Sequence, residues 1–265
     1  MAELSDWTCE FGGLVMGEPD SPISIVGVDG LLTLPEIRSA DQTLVQRDGL
    51  WVGDDYLNGR TVTLTLEVYG RTRDEFTTAL SSLQAVFRRG GAEAPFRFRF
   101  PGVAGDQTAY VMARCRKRSA PLDLNFAYLT CNLVVELFAT SPYIVGDVER
   151  ELTVQSPWDG TSTALRFSSP GNESAFPVIT LTNAQNCVLT DEVTGRFFGL
   201  TYGGTVTIDA AARTVVSAAG NHFEDRITDG STWPEFEFGE HRLTLTSEAV
   251  TAPTVATIKF RDRWT

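Results

Sequence analysis

The chain has 265 residues, a formal net charge of −12, and 42% hydrophobic against 21% charged residues. This composition is typical of a globular protein and excludes a disordered one, and the length favours two domains. The acidic balance argues against a protein that coats nucleic acid, which needs a basic surface. No apolar run approaches the ~20 residues of a membrane span, so we expect no membrane insertion. Residues 1–20 have neither a basic start nor a continuous apolar stretch, so we expect no secretory signal.

The first predicted elements are strands. Ile23 and Ile25 alternate with small or polar neighbours, and Asp29 with Gly30 forms a tight-turn pair. Residues 61–69 give the clearest pattern, because apolar and polar side chains alternate strictly. One face of this strand is therefore predicted to pack on a core. Its apolar residues are Val62, Leu64, Leu66 and Val68.

One helix is predicted directly after this strand. Thr72 is its expected N-cap, and Glu75 three residues later fits a capping box. Arg88 and Arg89 suit the C-terminal end of the helix dipole, and the Gly-Gly pair at 90–91 is expected to end the helix. Apolar residues recur at helical spacing and predict one buried stripe. They are Phe76, Ala79, Leu80, Leu83, Val86 and Phe87.

Further strands follow the helix up to a predicted domain boundary. Phenylalanine alternates with arginine over residues 96–100, and two more strands are predicted at 110–117 and 129–137. Residues 141–153 combine turn residues with a charged run, which predicts a first domain at 1–146 and a second at 151–265. Beyond the boundary, short strand-like segments separated by turns are typical of a β-sandwich or jelly roll.

The four cysteines carry no metal or redox signature, because none lies in a C-x-x-C pair. They are Cys9, Cys115, Cys131 and Cys187. Cys115 and Cys131 fall in predicted strands and are expected to be small buried hydrophobes. A disulfide between these two stays an open alternative at this point.

The sequence offers weak candidates for nucleophilic catalysis. His222 and His241 both lie near turn residues, so we expect them to be exposed. No Ser/His/Asp order can be defended. A Cys187–His222 nucleophile and base would lack an oxyanion-forming turn nearby.

Adjacent carboxylates give an equally weak signal for acid–base chemistry. Asp54 with Asp55, and Asp191 with Glu192, are neighbours that would point to opposite faces of a strand. We expect both pairs at turns or on the surface. The sequence therefore predicts no enzyme, with no catalytic, cofactor-binding or metal-binding residues.

Aromatic side chains in the second half allow two interpretations. Stacked on a sugar ring they would form a carbohydrate-binding platform, whereas in a small sandwich they usually belong to the core or an interface, which we favour. The residues are Trp158, Tyr202, Phe223, Trp233 and Trp264.

Turn and strand-start motifs also occur in a familiar order along nearly the whole chain. In the first half they are residues 28–30 (VDG), 34–38 (LPEIR), 48–49 (DG), 53–56 (GDDY) and 59–60 (GR). In the second half they are residues 171–172 (GN), 176–179 (FPVI), 194–195 (TG), 206–209 (VTID), 213–215 (RTV), 233 (W), 238–241 (FGEH) and 260–264 (FRDRW). This order resembles the siphophage distal tail protein (Dit) family, which are minor tail proteins of phages with long, non-contractile tails.

The resemblance implies a mainly β fold. Its first part would be a β-sandwich or split-barrel-like domain with one α-helix, and its second a galectin-like or jelly-roll β-sandwich. Proteins of this family are structural and bring no catalytic residues to carry over. They form a ring, typically a hexamer, at the distal end of the tail tube, with the N-terminal domain in the ring and the C-terminal domain projecting outward.

The resemblance also implies a location and partners. The protein would be made in the host cytoplasm and reside at the virion tail tip, bound to the tail tube protein, the tape-measure protein and the tail-associated lysin or tip protein. DNA would meet it only in passage through the lumen. An alternative is that the second domain is an adhesion module that binds a host surface saccharide.

Residues 38–60 are a candidate for contact between subunits. Their turn signal at Asp48 and Gly49, with the exposed-looking Trp51, predicts a protruding hairpin that clasps the next subunit. A closed ring needs two different complementary patches on each copy, and residues 42–52 would suit pairing with a neighbour's sheet edge. An ordinary surface loop is the alternative.

Overall fold

The computed structural model describes residues 3–158, 164–249 and 251–265, and the chain divides into two compact units. Domain 1 extends to Asp147, and domain 2 covers Val148–Trp264. The described residues are mainly β-strand with one α-helix, which confirms the predicted fold class.

Domain 1 is built around one antiparallel sheet. The strand order is β2-β1-β9-β10-β11-β8-β3, and β12 pairs with the beginning of β10. The strands are β1 (Thr8–Phe11), β2 (Leu14–Met16), β3 (Ile23–Asp29), β4 (Ile37–Ser39), β5 (Gln42–Thr43), β6 (Leu50–Trp51), β7 (Asp55–Leu57), β8 (Arg60–Tyr69), β9 (Ala94–Arg99), β10 (Ala109–Ser119), β11 (Thr130–Ala139) and β12 (Ile144–Gly146). The helix α1 is Arg73–Val86, and short 3-10 turns lie at Ala104–Asp106 and Leu124–Tyr128.

Strand β10 belongs to both halves of this sheet. Residues 109–113 pair with β9, whereas residues 114–119 pair with β11. A register shift between Cys115 and Lys117 marks a bulge, which bends a strand and increases its twist. The bend lets one sheet fold over a single core.

Strand β8 has the alternation that the sequence predicted. Its four apolar side chains are fully buried, while the intervening threonines and Glu67 are exposed or half-buried. It pairs with β11 along its whole length, from Thr130 opposite Tyr69 to Ala139 opposite Arg60. β8 and β11 therefore form the long central pair of domain 1.

The start of α1 is as predicted. The Thr72 side chain accepts a hydrogen bond from the Glu75 N–H at 3.2 Å, and the Glu75 carboxylate accepts one from the Arg71 N–H at 2.7 Å. The first contact satisfies an N–H group that a helix start leaves without a partner, and the second fixes the residue before the cap. The stripe is also present, because Phe76, Ala79, Leu83 and Phe87 are buried.

The predicted end of α1 is wrong. The helix ends at Val86, before the expected stop at Gly90, and no basic residue lies in its last turn. Phe87 leaves the helical conformation, and its side chain is buried. The cation at this end is Arg118 of β10, whose Nη1 donates to the carbonyl oxygens of Gln84 at 2.9 Å and Phe87 at 3.3 Å.

Strand β9 carries a buried charge between its buried phenylalanines. Arg97 forms ion pairs with Asp147 at 2.6 Å and Glu10 at 2.5 Å. The hydrogen bond to Asp147, together with that to Glu10, raises the pKa of the guanidinium although burial opposes the shift. Arg97 therefore stays charged inside the domain with two carboxylates beside it.

Domain 2 consists of strands, with one 3-10 turn at Glu224–Arg226, over the residues that are described. The order is β13-β19-β15-β16-β17, and β18 pairs with both β14 and β15. The strands are β13 (Arg150–Gln155), β14 (Leu165–Ser169), β15 (Val178–Asp191), β16 (Phe197–Asp209), β17 (Thr214–Ser217), β18 (Gly239–Thr246), β19 (Val255–Phe260) and β20 (Arg263–Trp264).

Strand β15 connects the two layers of this sandwich. Its first residues, 178–182, pair with β19, and its last, 188–191, pair with β18. Between them, bulges and two left-handed residues, Asn183 and Asn186, bend the chain. A strand that changes sheets through a bend is a usual corner of a β-sandwich. Buried side chains from all these strands except β20 form the core, among them Ile179, Phe198, Leu200, Ile258 and Phe260, together with Phe236 from the segment before β18.

Candidate assembly interface

The predicted hairpin exists and lies on the surface of domain 1. β4 pairs with β7, and β5 pairs with β6. The Asp41 carboxylate accepts a hydrogen bond from the Gly53 N–H at 2.8 Å, and the Ser39 hydroxyl oxygen accepts one from the Asp41 N–H at 3.1 Å. The hydrogen bond from the Gly53 N–H, followed by a hydrogen bond from the Ser39 side chain to the carboxylate, lowers the pKa of Asp41. The bond between Asp41 and Gly53 joins the two arms of the hairpin.

The hairpin exposes large apolar side chains to solvent. Val45 is 86% exposed, Trp51 70% and Val52 83%, and Ile37, Leu50 and Tyr56 are exposed as well. Large exposed apolar patches on a globular domain mark interaction sites. We call residues 36–57 the acidic hairpin, because five exposed acids stand against two arginines. The acids are Glu36, Asp41, Asp48, Asp54 and Asp55, and the arginines are Arg38 and Arg47.

A buried arginine anchors the chain on both sides of this hairpin. Arg60 is 1% exposed, and its Nη1 donates to the carbonyl oxygens of Gly30 at 2.5 Å, Leu31 at 3.0 Å and Thr33 at 3.0 Å. Its Nε donates to the Pro142 carbonyl oxygen at 2.7 Å. Burial lowers the pKa of this guanidinium, and no carboxylate of the described chain pairs with it.

A second exposed element covers the last residues of β10 and the connection to β11. Residues 116–128, which we call the basic loop, contain Arg116, Lys117 and Arg118 against a single acid, Asp123. Leu122 is 84% exposed, and Leu124 and Tyr128 are also exposed. The sequence analysis did not single out this loop, although three consecutive basic residues in an acidic chain would have indicated an exposed basic segment.

The prediction that both histidines are exposed is wrong for His241. His222 is exposed and contacts Glu224 at 3.0 Å. His241 is 3% exposed and lies in β18, where it shares the inward face with Leu243 and Leu245. The nearby turn residues were misleading, because Gly239 begins a strand whose alternation directs His241 into the core.

The prediction that Asp191 lies at the surface is also wrong. Asp191 is buried at the end of β15, and its Oδ2 lies 2.7 Å from Nδ1 of His241. The other ring nitrogen, Nε2, lies 2.9 Å from the Glu237 carbonyl oxygen. Asp191 also accepts bonds from the N–H groups of Val193 and Arg242. Each ring nitrogen of His241 therefore lies at hydrogen-bonding distance from an oxygen atom, one of a carboxylate and one of a backbone carbonyl.

The other carboxylate candidates occupy the predicted surface positions. Asp54, Asp55 and Glu192 are exposed. The structure brings neither pair of adjacent acids into a common cleft. Among the residues that are described, no group of three or more His, Cys, Asp or Glu side chains is placed to hold a metal ion.

The cysteines are all free thiols, so the alternative disulfide is absent. Burial raises the pKa of Cys9 to about 12, and burial also raises the pKa of Cys131 and of the half-buried Cys115. Cys187 contacts Ser247 and no hydrogen bond joins it to His222, so the structure does not assemble the candidate nucleophile and base.

The aromatic residues of domain 2 are mostly part of its core. Trp264 is buried, and Tyr202, Phe223 and Trp233 pack against the core cluster. A cavity beside Trp233, bordered by the Arg196–Glu235 ion pair, has a volume of about 30 Å³. This is room for a water molecule rather than a sugar ring. No helix of the described chain is long and apolar enough to cross a bilayer.

Comparison with known proteins found similarity only among solved structures, since no family model and no curated protein matches the chain. The crystal structure of the Dit (gp 19.1) protein of phage SPP1, called a paradigm of the hub adsorption apparatus in phages that infect Gram-positive bacteria, aligns with a TM-score of 0.67 and 16% identity. The alignment covers 97% of this chain and 99% of that one. A chain of the phage P2 baseplate in its activated conformation with Ca aligns with a TM-score of 0.45 and 7% identity, over 96% and 97% of the two chains. The predicted resemblance is confirmed at the level of the fold, because this chain has the fold of the SPP1 Dit protein.

Proposed function

We propose that this chain is a structural component of a bacteriophage tail tip or baseplate and that it has no enzymatic role. The observation that supports this most is the alignment with the SPP1 Dit protein over nearly the full length of both chains. The chain would form a homo-hexameric ring that joins the tail tube to the host-recognition and infection machinery. Its location would be the tail tip of the virion.

The exposed surfaces support a division of roles between the two domains. The exposed apolar hairpin and loop both belong to domain 1, so we expect residues 1–146 to form the ring and residues 151–265 to project from it. Association buries apolar surface, which is the main favourable term in most protein assemblies. The tail tube protein, the tape-measure protein and the tail-associated lysin or tip protein would contact the same ring, with DNA passing through its lumen.

Negative-stain electron microscopy of the purified full-length chain tests the ring directly. We expect closed rings whose population grows with protein concentration. A matched variant replaces residues 44–49 with Asn-Gly, a pair that favours a tight hairpin turn, so that β5 and β6 stay connected. This variant should remain folded by circular dichroism and form no rings. A wild-type chain that sediments as a monomer at every concentration contradicts the ring, and rings from the variant contradict the role of the hairpin.

The saccharide-binding alternative for domain 2 is separable from this scaffold role. A glycan array probed with the full-length chain measures it without assumptions about assembly. Glycan binding by the wild type that the Trp233→Ala variant loses would support an adhesion function. If no glycan is bound, only the scaffold role is left.

A further inference from the structure

We propose that Asn58, at the base of the acidic hairpin, is a site of spontaneous deamidation, and that its hydrogen bond to Glu36 limits the rate of this reaction. Asn58 and Gly59 connect β7 to β8. Asn58 is the one asparagine of this chain that is followed by glycine, and such pairs react readily because glycine has no side chain to hinder the attack. The inference does not depend on the proposed function.

The reaction needs only the chain itself and water. The backbone nitrogen of Gly59 loses its proton and attacks Cγ of the Asn58 side chain, so that a new N–C bond forms. The bond between Cγ and Nδ2 breaks, and the amide nitrogen leaves with the proton as ammonia. Water then opens the resulting cyclic imide at either of its two carbonyl carbons. One opening gives aspartate, and the other gives isoaspartate, whose main chain runs through the former side chain.

The surroundings of Gly59 favour this attack. Among the residues that the structure describes, none accepts a hydrogen bond from the Gly59 N–H. Asn58 and Gly59 line a cavity of about 490 Å³, which has room for the water that opens the imide. Arg60 lines the same cavity, and its buried guanidinium has no carboxylate partner in the described chain. A buried cation stabilises negative charge nearby, such as that on the deprotonated Gly59 nitrogen.

Glu36 opposes the reaction because it holds Asn58 by two hydrogen bonds. Nδ2 of Asn58 donates to Oε2 of Glu36 at 3.3 Å, and the Asn58 N–H donates to the Glu36 carbonyl oxygen at 2.8 Å. A side chain tied in this way has fewer conformations in which its Cγ meets the Gly59 nitrogen. The bond to the carboxylate therefore slows the reaction.

Deamidation would disturb the base of the hairpin. Gly59 lies close against β11, because a Cβ added to it would be 2.5 Å from the Ala139 carbonyl oxygen and 2.8 Å from Cζ of Phe138. The main chain of isoaspartate is one atom longer, and the close contact with β11 leaves no space for the added length on that side. The added length therefore displaces β7. Either product also places a second carboxylate beside that of Glu36, which repels it.

Peptide mass spectrometry of the full-length chain, aged in a mildly alkaline buffer, tests the site. Asn125 is an internal control, because its Nδ2 also donates to a carboxylate, that of Asp123 at 3.0 Å, but phenylalanine follows it in the chain. We expect Asn58 to deamidate at least tenfold faster than Asn125 and to give both aspartate and isoaspartate. A rate at Asn58 equal to or lower than the rate at Asn125 would overturn the proposed site.

Two variants test the role of Glu36. Glu36→Ala removes the side-chain acceptor and leaves the bond between the backbone groups in place. The rate at Asn58 should rise at least threefold, while the rate at Asn125 stays unchanged. Glu36→Gln keeps an acceptor oxygen and should react at the wild-type rate. If Glu36→Ala reacts like the wild type, or if Glu36→Gln reacts as fast as Glu36→Ala, the hydrogen bond does not limit the reaction.

Limited proteolysis measures the effect on the hairpin. Arg38 and Arg47 are exposed in the acidic hairpin and offer cleavage sites for trypsin. Deamidated chains, separated from the aged sample by ion exchange, should be cut at these sites at least threefold faster than unmodified chains. Equal rates of cleavage would contradict the predicted displacement of β7.

Discussion

The two domains differ in how many large apolar side chains they expose and in the partners of their buried charged side chains. Among the described residues, sixteen large apolar side chains are exposed in domain 1 and five in domain 2. Domain 1 buries Arg60 against carbonyl oxygens and Arg97 against two carboxylates, whereas domain 2 buries a histidine, His241, against a single carboxylate. Both domains bend one long strand, β10 or β15, to close a core. The larger exposed apolar surface of domain 1 is the feature on which the proposed role of this domain in assembly depends.

The largest expected effect concerns the buried arginine of domain 1. Arg60→Met keeps the length and the apolar stem of the side chain but removes four hydrogen bonds to carbonyl oxygens. Since buried acceptors without donors are costly, we expect the free energy of unfolding to fall by about 3 kcal/mol. Urea unfolding measures the change. Arg60→Lys keeps the charge and some of the donors, so it should lose less, and equal losses would show that the bonds from the guanidinium are unimportant.

The buried pair of domain 2 comes next. Asp191→Asn keeps the shape of the side chain but removes the charge beside His241, so we expect a loss of about 2 kcal/mol in the free energy of unfolding. Glu224→Gln is the matched control, because Glu224 pairs with the exposed His222. Its effect should be much smaller than that of Asp191→Asn. Equal effects would show that burial of the Asp191–His241 pair contributes nothing.

The pH dependence of the free energy of unfolding gives a second test of the Asp191–His241 pair. Burial raises the pKa of Asp191, but hydrogen bonds from His241 and from the N–H groups of Val193 and Arg242 lower it more, so the net shift is downward. A carboxyl whose folded pKa is lowered stabilises the fold above its ordinary pKa, about 3.9, and this contribution is lost as the pH falls through the lowered value. The difference between wild type and Asp191→Asn should therefore shrink as the pH falls below about 4. A difference that grows on acidification would contradict the assigned shift.

The Trp51→Ser variant tests whether the exposed surface of domain 1, rather than that of domain 2, forms the interface. Trp51 is exposed in the acidic hairpin, so its removal should leave the free energy of unfolding unchanged within error. We expect self-association to weaken about tenfold, because tryptophan is the residue type most often dominant in an interface. Phe238→Ser is the control in domain 2, where the side chain is also exposed. If Phe238→Ser impairs association and Trp51→Ser does not, domain 2 forms the interface instead.

The smallest expected effect concerns the cap of α1. Thr72→Ala removes the hydrogen bond to the Glu75 N–H and should lower the free energy of unfolding by about 1 kcal/mol. Thr72→Ser keeps the hydroxyl oxygen and should behave like the wild type. An Ala variant as stable as the Ser variant would show that this cap does not hold the helix start.

Local patterns were sufficient for the elements whose partners lie nearby in sequence. The alternation in β8 predicted which side chains are buried, and the spacing of Thr72 and Glu75 predicted the helix start. The turn signal at Asp48 and Gly49 predicted a hairpin with an exposed Trp51. Each of these signals depends on backbone periodicity or on a bond across a few residues, which a single sequence displays directly.

Contacts between distant residues were beyond such patterns. Arg118 reaches the end of α1 only because β10 passes beside it, and this contact escaped the sequence analysis. His241 and Asp191 are fifty positions apart, and their burial follows from the pairing of β18 with β15. Arg60 was noticed as a motif residue, but its four carbonyl partners come from segments that only folding brings together.

By itself, the sequence determined that two β-rich domains with one helix would form, because alternation and helical spacing dictate which faces must leave water. Only the tertiary structure decided which charged side chains are buried and which residues they contact. A buried ion needs partners at hydrogen-bonding distance, and those partners are chosen by strand order rather than by neighbours in the chain.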